Sequence, residues 1–199
     1  MIFTETELTG AFIVDLEPRT DTRGFFARAF CQREFASHGL DASVAQMNIS
    51  LNHRKGTVRG LHFQYPPGAE AKFVRCSRGA ILDVVVDLRP ESPTYLRHVM
   101  VELTADNRRG IVVPERCAHG FQVLEDATET TYLVSEFYAP GLEDGLRHDD
   151  PALAIAWPLP ASDMSDKDRA WPLLAHVESA VRARMTLQAH ALQAPVGAR

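Results

Sequence analysis

The stretch with the clearest potential for chemistry is 59–64 (RGLHFQ), which has the composition of a β-strand. Side chains alternate between the two faces of a strand, so His62 and Gln64 should point into one cavity, while Arg59 and the two apolar residues should face the other way. Lys72 begins the next strand-like segment and can supply a positive charge nearby. A histidine in such polar company favours a pocket within a β-structure over an ordinary buried histidine.

Other candidates lie further along the chain. His119 stands in PERCAHGF, at the start of another strand-like run. Tyr132 and Tyr138 are six residues apart and would share a face of an unbroken strand, either as ordinary packing or as a proton donor with a ring that stacks on a ligand. Asp168 lies in SDMSDKDR, a stretch typical of a solvated loop or of a helix N-terminus.

A metal site is not favoured by these residues. A metal-binding barrel typically offers His-x-His with a carboxylate and a distant histidine, but here the pair reads His62-Phe63-Gln64. The charge of Lys72 would also repel a dication. We therefore predict no metal.

The elements that must position these residues are short strands. Runs rich in β-branched residues are separated by Gly, Pro, Asn or Asp at intervals of about 8–12 residues, which is typical of a β-sandwich or barrel. Parallel α/β folds would need longer helical crossovers. One short helix is predicted over 32–38. We expect one domain over 1–174 and a C-terminal extension over 175–199, helical over 175–192.

Composition excludes several classes. The chain has 199 residues, of which 45% are hydrophobic and 24% charged, as in ordinary globular proteins. Its net charge of −5 lacks the positive field of a nucleic-acid binder. No apolar run is long enough for a membrane helix, and the N-terminus lacks the features of a secretory signal. Three cysteines without CxxC spacing suggest reduced thiols and a cytoplasmic location.

Eight motifs resemble those of the dTDP-4-dehydrorhamnose 3,5-epimerases, in the same order and spacing over about residues 10–173. They are DTRGFF (21–26), QMNIS (46–50), GTVRGLHFQ (56–64), KFVR (72–75), DVVVDLRPESP (83–93), PERCAHGF (114–121), Asp150-Pro151 with Trp157-Pro158, and SDKD (165–168).

This resemblance implies an all-β fold, a cupin-type antiparallel β-sandwich or jelly roll with a few short helices. It implies a homodimer in which the N-terminal segment of one subunit helps to build the site of the other. It also implies a dTDP-sugar substrate, with no metal and no organic cofactor. The expected reaction is epimerisation at C3 and C5 of a dTDP-4-keto-6-deoxyhexose.

By the same resemblance, His62 is the base, Asp168 its partner, Tyr132 the acid on the opposite sugar face, and Lys72 the cation that faces the enolate oxygen. Residues matching positions that hold the nucleotide or the sugar are Arg23, Phe26, Gln46, Asn48, Arg59, His119, Tyr138, Glu143 and Lys167. The residue types suit the chemistry, because histidine titrates near neutral pH and a fixed cation stabilises an enolate.

Some positions depart from the family pattern, namely Arg28, Met47, Arg116, Cys117 and Leu133. The main alternative is a single-centre epimerase or ketoisomerase on a related nucleotide sugar. A non-catalytic sugar-binding cupin and a metal-dependent cupin oxygenase are the others.

Overall fold

The fold consists of many short strands and three helices over residues 1–187, the part of the chain that the computed structural model describes. The strands are β1 (Ile2–Glu5), β2 (Phe12–Asp15), β3 (Arg19–Asp21), β4 (Gly24–Phe26), β5 (Gln46–Asn52), β6 (Val58–Gln64), β7 (Lys72–Arg78), β8 (Ala80–Asp87), β9 (His98–Thr104), β10 (Gly110–Val113), β11 (Cys117–Val123), β12 (Thr128–Val134) and β13 (Glu143–Gly145). The helices are α1 (Gln32–Ser37), α2 (Asp166–Ala170) and α3 (Leu174–Met185).

The strands form two main antiparallel sheets and one hairpin. One sheet has the order β1-β2-β10-β7-β12-β5 and the other β13-β6-β11-β8-β9, while β3 and β4 pair separately. Residues of β7 and β10 pack against residues of β8, β9 and β11 in one buried cluster between the sheets. The predicted antiparallel β-sandwich is therefore confirmed.

Strand β8 explains how the two faces are divided. Its residues Ile81 and Val85 belong to the cluster between the sheets, whereas Val84 and Val86 belong to a second cluster on the outer face. Because both faces are covered, the strand is almost continuously apolar. A third cluster, around Phe35 of α1 and Phe73 of β7, covers the outer face of the larger sheet.

Helix α3 covers the outer face of the five-stranded sheet. Val181 and Met185 are buried there, in one cluster with Leu61 and Phe63 of β6. Arg116 is also buried, and its Nη1 donates to the Met185 carbonyl at 2.9 Å. The predicted helix over 175–192 is thus present as Leu174–Met185, and residues 188–199 lie outside the described part of the chain.

A register shift in β6 corrects one expectation from the sequence. His62 pairs with His119 and Arg59 pairs with Phe121, so β6 uses one residue more than β11 over the same distance. This bulge breaks the alternation. Arg59 therefore lies on the His62 side of the strand, where both line one cavity, and does not face the other way.

Gly60, inside the bulge, has φ of +100°, and a Cβ there would lie 2.6 Å from the His119 carbonyl oxygen. We expect Gly60→Ala to lower the free energy of unfolding by at least about 2 kcal/mol, since backbone strain and overpacking add. Urea denaturation measures the change. Gly39→Ala is the matched control, because Gly39 has φ of +70° but no atom within 4 Å of the added Cβ. Equal losses in both variants would contradict the steric argument.

Candidate active site

The centre of the site is a hydrogen bond between His62 and Asp168. His62 Nε2 lies 2.6 Å from Asp168 Oδ1, joining β6 to α2 across 106 positions of the chain. Asp168 is only 3% exposed. Ser165 caps α2 by accepting a hydrogen bond from the Asp168 amide, which stabilises the first turn of the helix that carries Asp168. The geometry is that of a carboxylate that orients an imidazole.

The surroundings of Asp168 favour its ionised form. Burial acts to raise the pKa of its carboxyl, but the hydrogen bonds from His62 and from the Gly60 amide outweigh it and lower the pKa. Trp171 Nε1 also donates to Asp168 Oδ1, at 3.3 Å. The carboxylate is therefore held negative beside the imidazole, as an orienting partner must be.

His62 and Gln64 face one cavity, as the alternation of β6 predicts. This cavity, of about 270 Å³, lies between the sheets and is named the Lys72 pocket below. It brings together predicted site residues from six segments of the chain. Those in its lining are Gln46, Asn48, His62, Lys72, Tyr132, Tyr138 and Glu143.

Glu70 also lines the Lys72 pocket, and the sequence analysis missed it. Its Oε1 lies 3.0 Å from Lys72 Nζ, in an ion pair whose side chains are 13% and 10% exposed. The signal was available, because Glu70 and Lys72 are two residues apart and share a face in extended chain. Trp171 was missed as well; it lies three residues after Asp168, and its ring centroid is 6.4 Å from that of His62.

Tyr132 is half-buried in the same pocket, on β12. Burial raises the pKa of its phenol, and the charge of Glu70 adds to that shift, while Arg59 opposes it. A raised pKa keeps the hydroxyl protonated at neutral pH, which suits a proton donor.

Tyr138 does not lie on the same strand as Tyr132, because β12 ends at Val134. The prediction that both tyrosines lie on one unbroken strand was therefore wrong. Both rings nevertheless line the Lys72 pocket. The Tyr138 hydroxyl donates to Glu143 Oε2 at 2.9 Å, and Lys167 Nζ binds the same oxygen at 2.6 Å. The three side chains form one chain of contacts at the rim of the pocket.

A second cavity, of about 340 Å³, adjoins the first at His62. It contains Arg59 and Lys167 together with Asp168, so it gathers two positive charges beside the dyad. Arg59 is held by Asn52, whose Oδ1 accepts from its Nε at 2.5 Å. The carboxylates of Asp163 and Asp168 also line this cavity, so Arg59 and Lys167 suit an anionic group through direct hydrogen bonds and not through a net positive field.

Three predicted residues are not brought into these cavities. Arg23 and Phe26 lie on the β3–β4 hairpin, where Phe26 is 71% exposed and Arg23 pairs with Asp21. His119 is buried opposite His62, and its Nε2 lies 2.8 Å from Asp83 Oδ2.

Over residues 1–187, no three or more His, Cys, Asp or Glu side chains are grouped so that they could hold a metal ion. In the same range, no helix has the length and apolar character needed to cross a membrane.

This arrangement belongs to a class of enzymes that move a proton on carbon next to a carbonyl. An oriented histidine can remove the proton, a cation can stabilise the resulting enolate, and a neutral phenol can return a proton. All three groups line the Lys72 pocket.

Comparison with known proteins agrees with this class. The family model described as dTDP-4-dehydrorhamnose 3,5-epimerase matches residues 5–176. A Methanothermobacter thermautotrophicus protein of that name is 42% identical over 172 residues, covering 85% of this chain and 92% of that protein. The chain belongs to the dTDP-4-dehydrorhamnose 3,5-epimerase family, and it is an isomerase with the predicted cupin-type fold.

Two solved structures are informative neighbours. The Legionella pneumophila dTDP-6-deoxy-D-glucose-3,5-epimerase, in complex with dTDP-4-keto-L-rhamnose, has a TM-score of 0.84 and 33% identity, covering 90% of this chain and 96% of that one. A 3'-monoepimerase from Streptomyces bikiniensis, in complex with dTDP-quinovose, has a TM-score of 0.81 and 35% identity, covering 89% and 90%.

The lowered pKa of Asp168 predicts a specific response to acid. Its ionised form stabilises the folded chain above the ordinary pKa of about 3.9, and this contribution is lost as the pH falls through the lower folded-state pKa. Asp168→Asn cannot titrate, so the free energy of unfolding should fall less steeply below about pH 4 than in the wild type. Urea unfolding across this pH range measures the slope. The control is Asp166→Asn, at an exposed position of the same helix. If the free energy of unfolding of Asp168→Asn depended on pH as steeply as that of the wild type, the lowered pKa of Asp168 would be refuted.

Proposed function

We propose that the protein epimerises C3 and C5 of a dTDP-4-keto-6-deoxyhexose, of the type that converts dTDP-4-dehydro-6-deoxy-D-glucose to dTDP-4-dehydro-L-rhamnose. The observation that carries this proposal is the position of His62, Lys72 and Tyr132 in one pocket, with Asp168 bound to His62. Family membership supports the same reaction.

In this mechanism, His62 removes the proton from the carbon next to the C4 ketone. Asp168 fixes the tautomer of the ring and stabilises the imidazolium that forms. The electron pair left on carbon moves onto the ketone oxygen, where the ammonium of Lys72 stabilises the enolate. The pocket between the sheets limits the access of water, which strengthens this interaction.

Inversion then requires a proton from the opposite face of the sugar. Tyr132 is the donor, because its phenol is neutral near pH 7 and lies in the same pocket. After each turnover, the proton on His62 is lost and the phenolate of Tyr132 is reprotonated from solvent. The same cycle at the second carbon completes the double epimerisation.

The remaining predicted residues bind the substrate. Arg59 and Lys167, in the cavity beside the dyad, suit the diphosphate, whereas Gln46 and Asn48 suit the sugar hydroxyls.

Tyr138 is exposed at the rim of the pocket, where its ring suits stacking on thymine and its hydroxyl is bound to Glu143. His119 matches a family position that holds the nucleotide diphosphate or the sugar, and Arg23 and Phe26 are assigned to the site of the other subunit.

Tyr132→Phe keeps the ring and removes the phenolic proton. With dTDP-4-keto-6-deoxyglucose in D2O, we expect this variant to exchange substrate protons through His62 but to fail to invert the carbon. NMR of substrate and product measures both events. Normal inversion in Tyr132→Phe would refute its role as the acid.

Two variants serve as controls for this experiment. His62→Ala should lose both exchange and inversion, by about 100- to 10,000-fold, the usual contribution of a positioned base. Tyr138→Phe should remain close to the wild type, because stacking requires the ring and not the hydroxyl. Loss of inversion in Tyr138→Phe would mean that the two tyrosine roles are exchanged.

The second candidate is epimerisation at one centre. One structural neighbour is a 3'-monoepimerase, and this neighbour favours the second candidate. Two of the departures, Met47 and Leu133, line an apolar cavity on the face of the larger sheet that points away from the Lys72 pocket. The same NMR experiment decides between the candidates, because a single-centre enzyme would exchange and invert only one position.

We also propose that the working form is a homodimer. Strand β5 lies at the edge of its sheet and exposes its apolar side chains. Its polar residues face the pocket, whereas Met47, Ile49 and Leu51 are 46 to 66% exposed. An exposed apolar edge strand invites pairing with another chain unless charges, a bulge or another element protects it. The exposed Phe26 on the β3–β4 hairpin suits insertion into a second copy.

The dimer proposal predicts a mass of twice the 22.1 kDa of the chain in light scattering. Ile49→Asp should shift the mass towards the monomer at micromolar concentrations, because burial of an unpaired charge opposes association. Met100→Asp is the matched control, as Met100 is also exposed but lies on β9, at the edge of the other sheet. A wild-type monomer would contradict the proposal.

A further inference from the structure

We infer that Glu70 is a positioning residue of the reaction, which holds the ammonium of Lys72 at the place where the enolate oxygen develops. This inference rests on the proposed function, because it acts through the role of Lys72. Glu70 itself is not assigned contact with the substrate.

The ion pair is enclosed. Lys72 Nζ lies 3.0 Å from Glu70 Oε1, and the two side chains are 10% and 13% exposed. A buried charge without a partner is costly, so Lys72 needs a carboxylate nearby. Among residues 1–187, Glu70 is the one acidic residue within ion-pair distance of Lys72.

Glu70 is also fixed through its second oxygen. Its Oε2 accepts a hydrogen bond from Gln64 Nε2 at 3.3 Å, and the same nitrogen donates to the Gly68 carbonyl at 3.0 Å. Gln64 Oε1 accepts from the Ala139 amide at 2.7 Å. The amide of Gln64 therefore connects β6, the turn before β7 and the segment after β12, and the carboxylate of Glu70 extends this network to Lys72.

This fixation matters because lysine has a long, flexible side chain, and its ammonium group can bind a partner from many directions. A fixed cation stabilises a developing enolate only if it already stands at the correct distance, since reorganisation during the reaction would cancel the gain. Misplacement by about 1 Å can cost about 100-fold in rate. Glu70 therefore limits the positions that the Lys72 ammonium can adopt.

Glu70→Gln tests the inference, because it keeps the shape of the side chain and removes its charge. We expect kcat for epimerisation to fall by about 10- to 100-fold, with KM changed by less than about threefold. Glu102→Gln is the matched control on the exposed face of β9, and it should keep the wild-type kcat. Glu70→Asp, which keeps the charge but withdraws it by one methylene, should lie between the wild type and Glu70→Gln.

A double-mutant cycle with Lys72→Met separates positioning from a general structural effect. If Glu70 acts through Lys72, Glu70→Gln should cost at most about twofold in the Lys72→Met background. An equal loss in both backgrounds, or a wild-type kcat for Glu70→Gln, would overturn the inference. If Glu70→Gln fails to fold, the cycle is run with Glu70→Asp, and the same two outcomes apply.

The outcome for Lys72→Met alone keeps the two proposals distinguishable. Full turnover by Lys72→Met would refute the proposed role of Lys72 and, with it, the role of Glu70. A large loss in Lys72→Met with no loss in Glu70→Gln would refute only the role of Glu70. Exchange of substrate protons in D2O by the wild type tests the proposed function independently of either variant.

Discussion

The contact on which the site depends is the hydrogen bond between His62 and Asp168. A carboxylate as deeply buried as Asp168 must be paired, and His62 and the Gly60 amide provide the pairing. This requirement anchors α2 to β6, and it brings Trp171 and Lys167 close to the dyad. The buried charge of Asp168 acts together with a backbone hydrogen bond between Val58 and Asp163 to hold the chain before α2 against β6.

The reaction also depends on the pocket between the sheets, where the polar side chains are held in fixed positions. Its polar side chains are bound to one another: Lys72 to Glu70, Glu70 to Gln64, and Gln64 to the segment that leads to Tyr138. Such a network is rigid because each member fixes the next. Proton transfer next to a ketone benefits from this rigidity, since the stabilising charge need not move during the reaction.

The covering elements have a different role. Helix α3 closes the outer face of the five-stranded sheet, and Arg116, at a position that departs from the family pattern, binds its last turn. The apolar face of β5 has no comparable cover within residues 1–187. The contrast between these two surfaces is the physical basis for assigning a second copy of the chain to β5 and not to α3.

Local sequence determined the strands, the cavity-facing positions of His62 and Gln64, and the family motifs, because alternation and turn residues act over a few positions. Tertiary structure decided the rest. The bulge at Gly60 turned Arg59 to the side of His62, since the close approach of β11 admits no side chain there. The end of β12 moved Tyr138 to a separate segment, and packing brought Asp168 to His62 across 106 positions. Contacts between distant segments are set by the shape and burial of the whole core, which no local periodicity records.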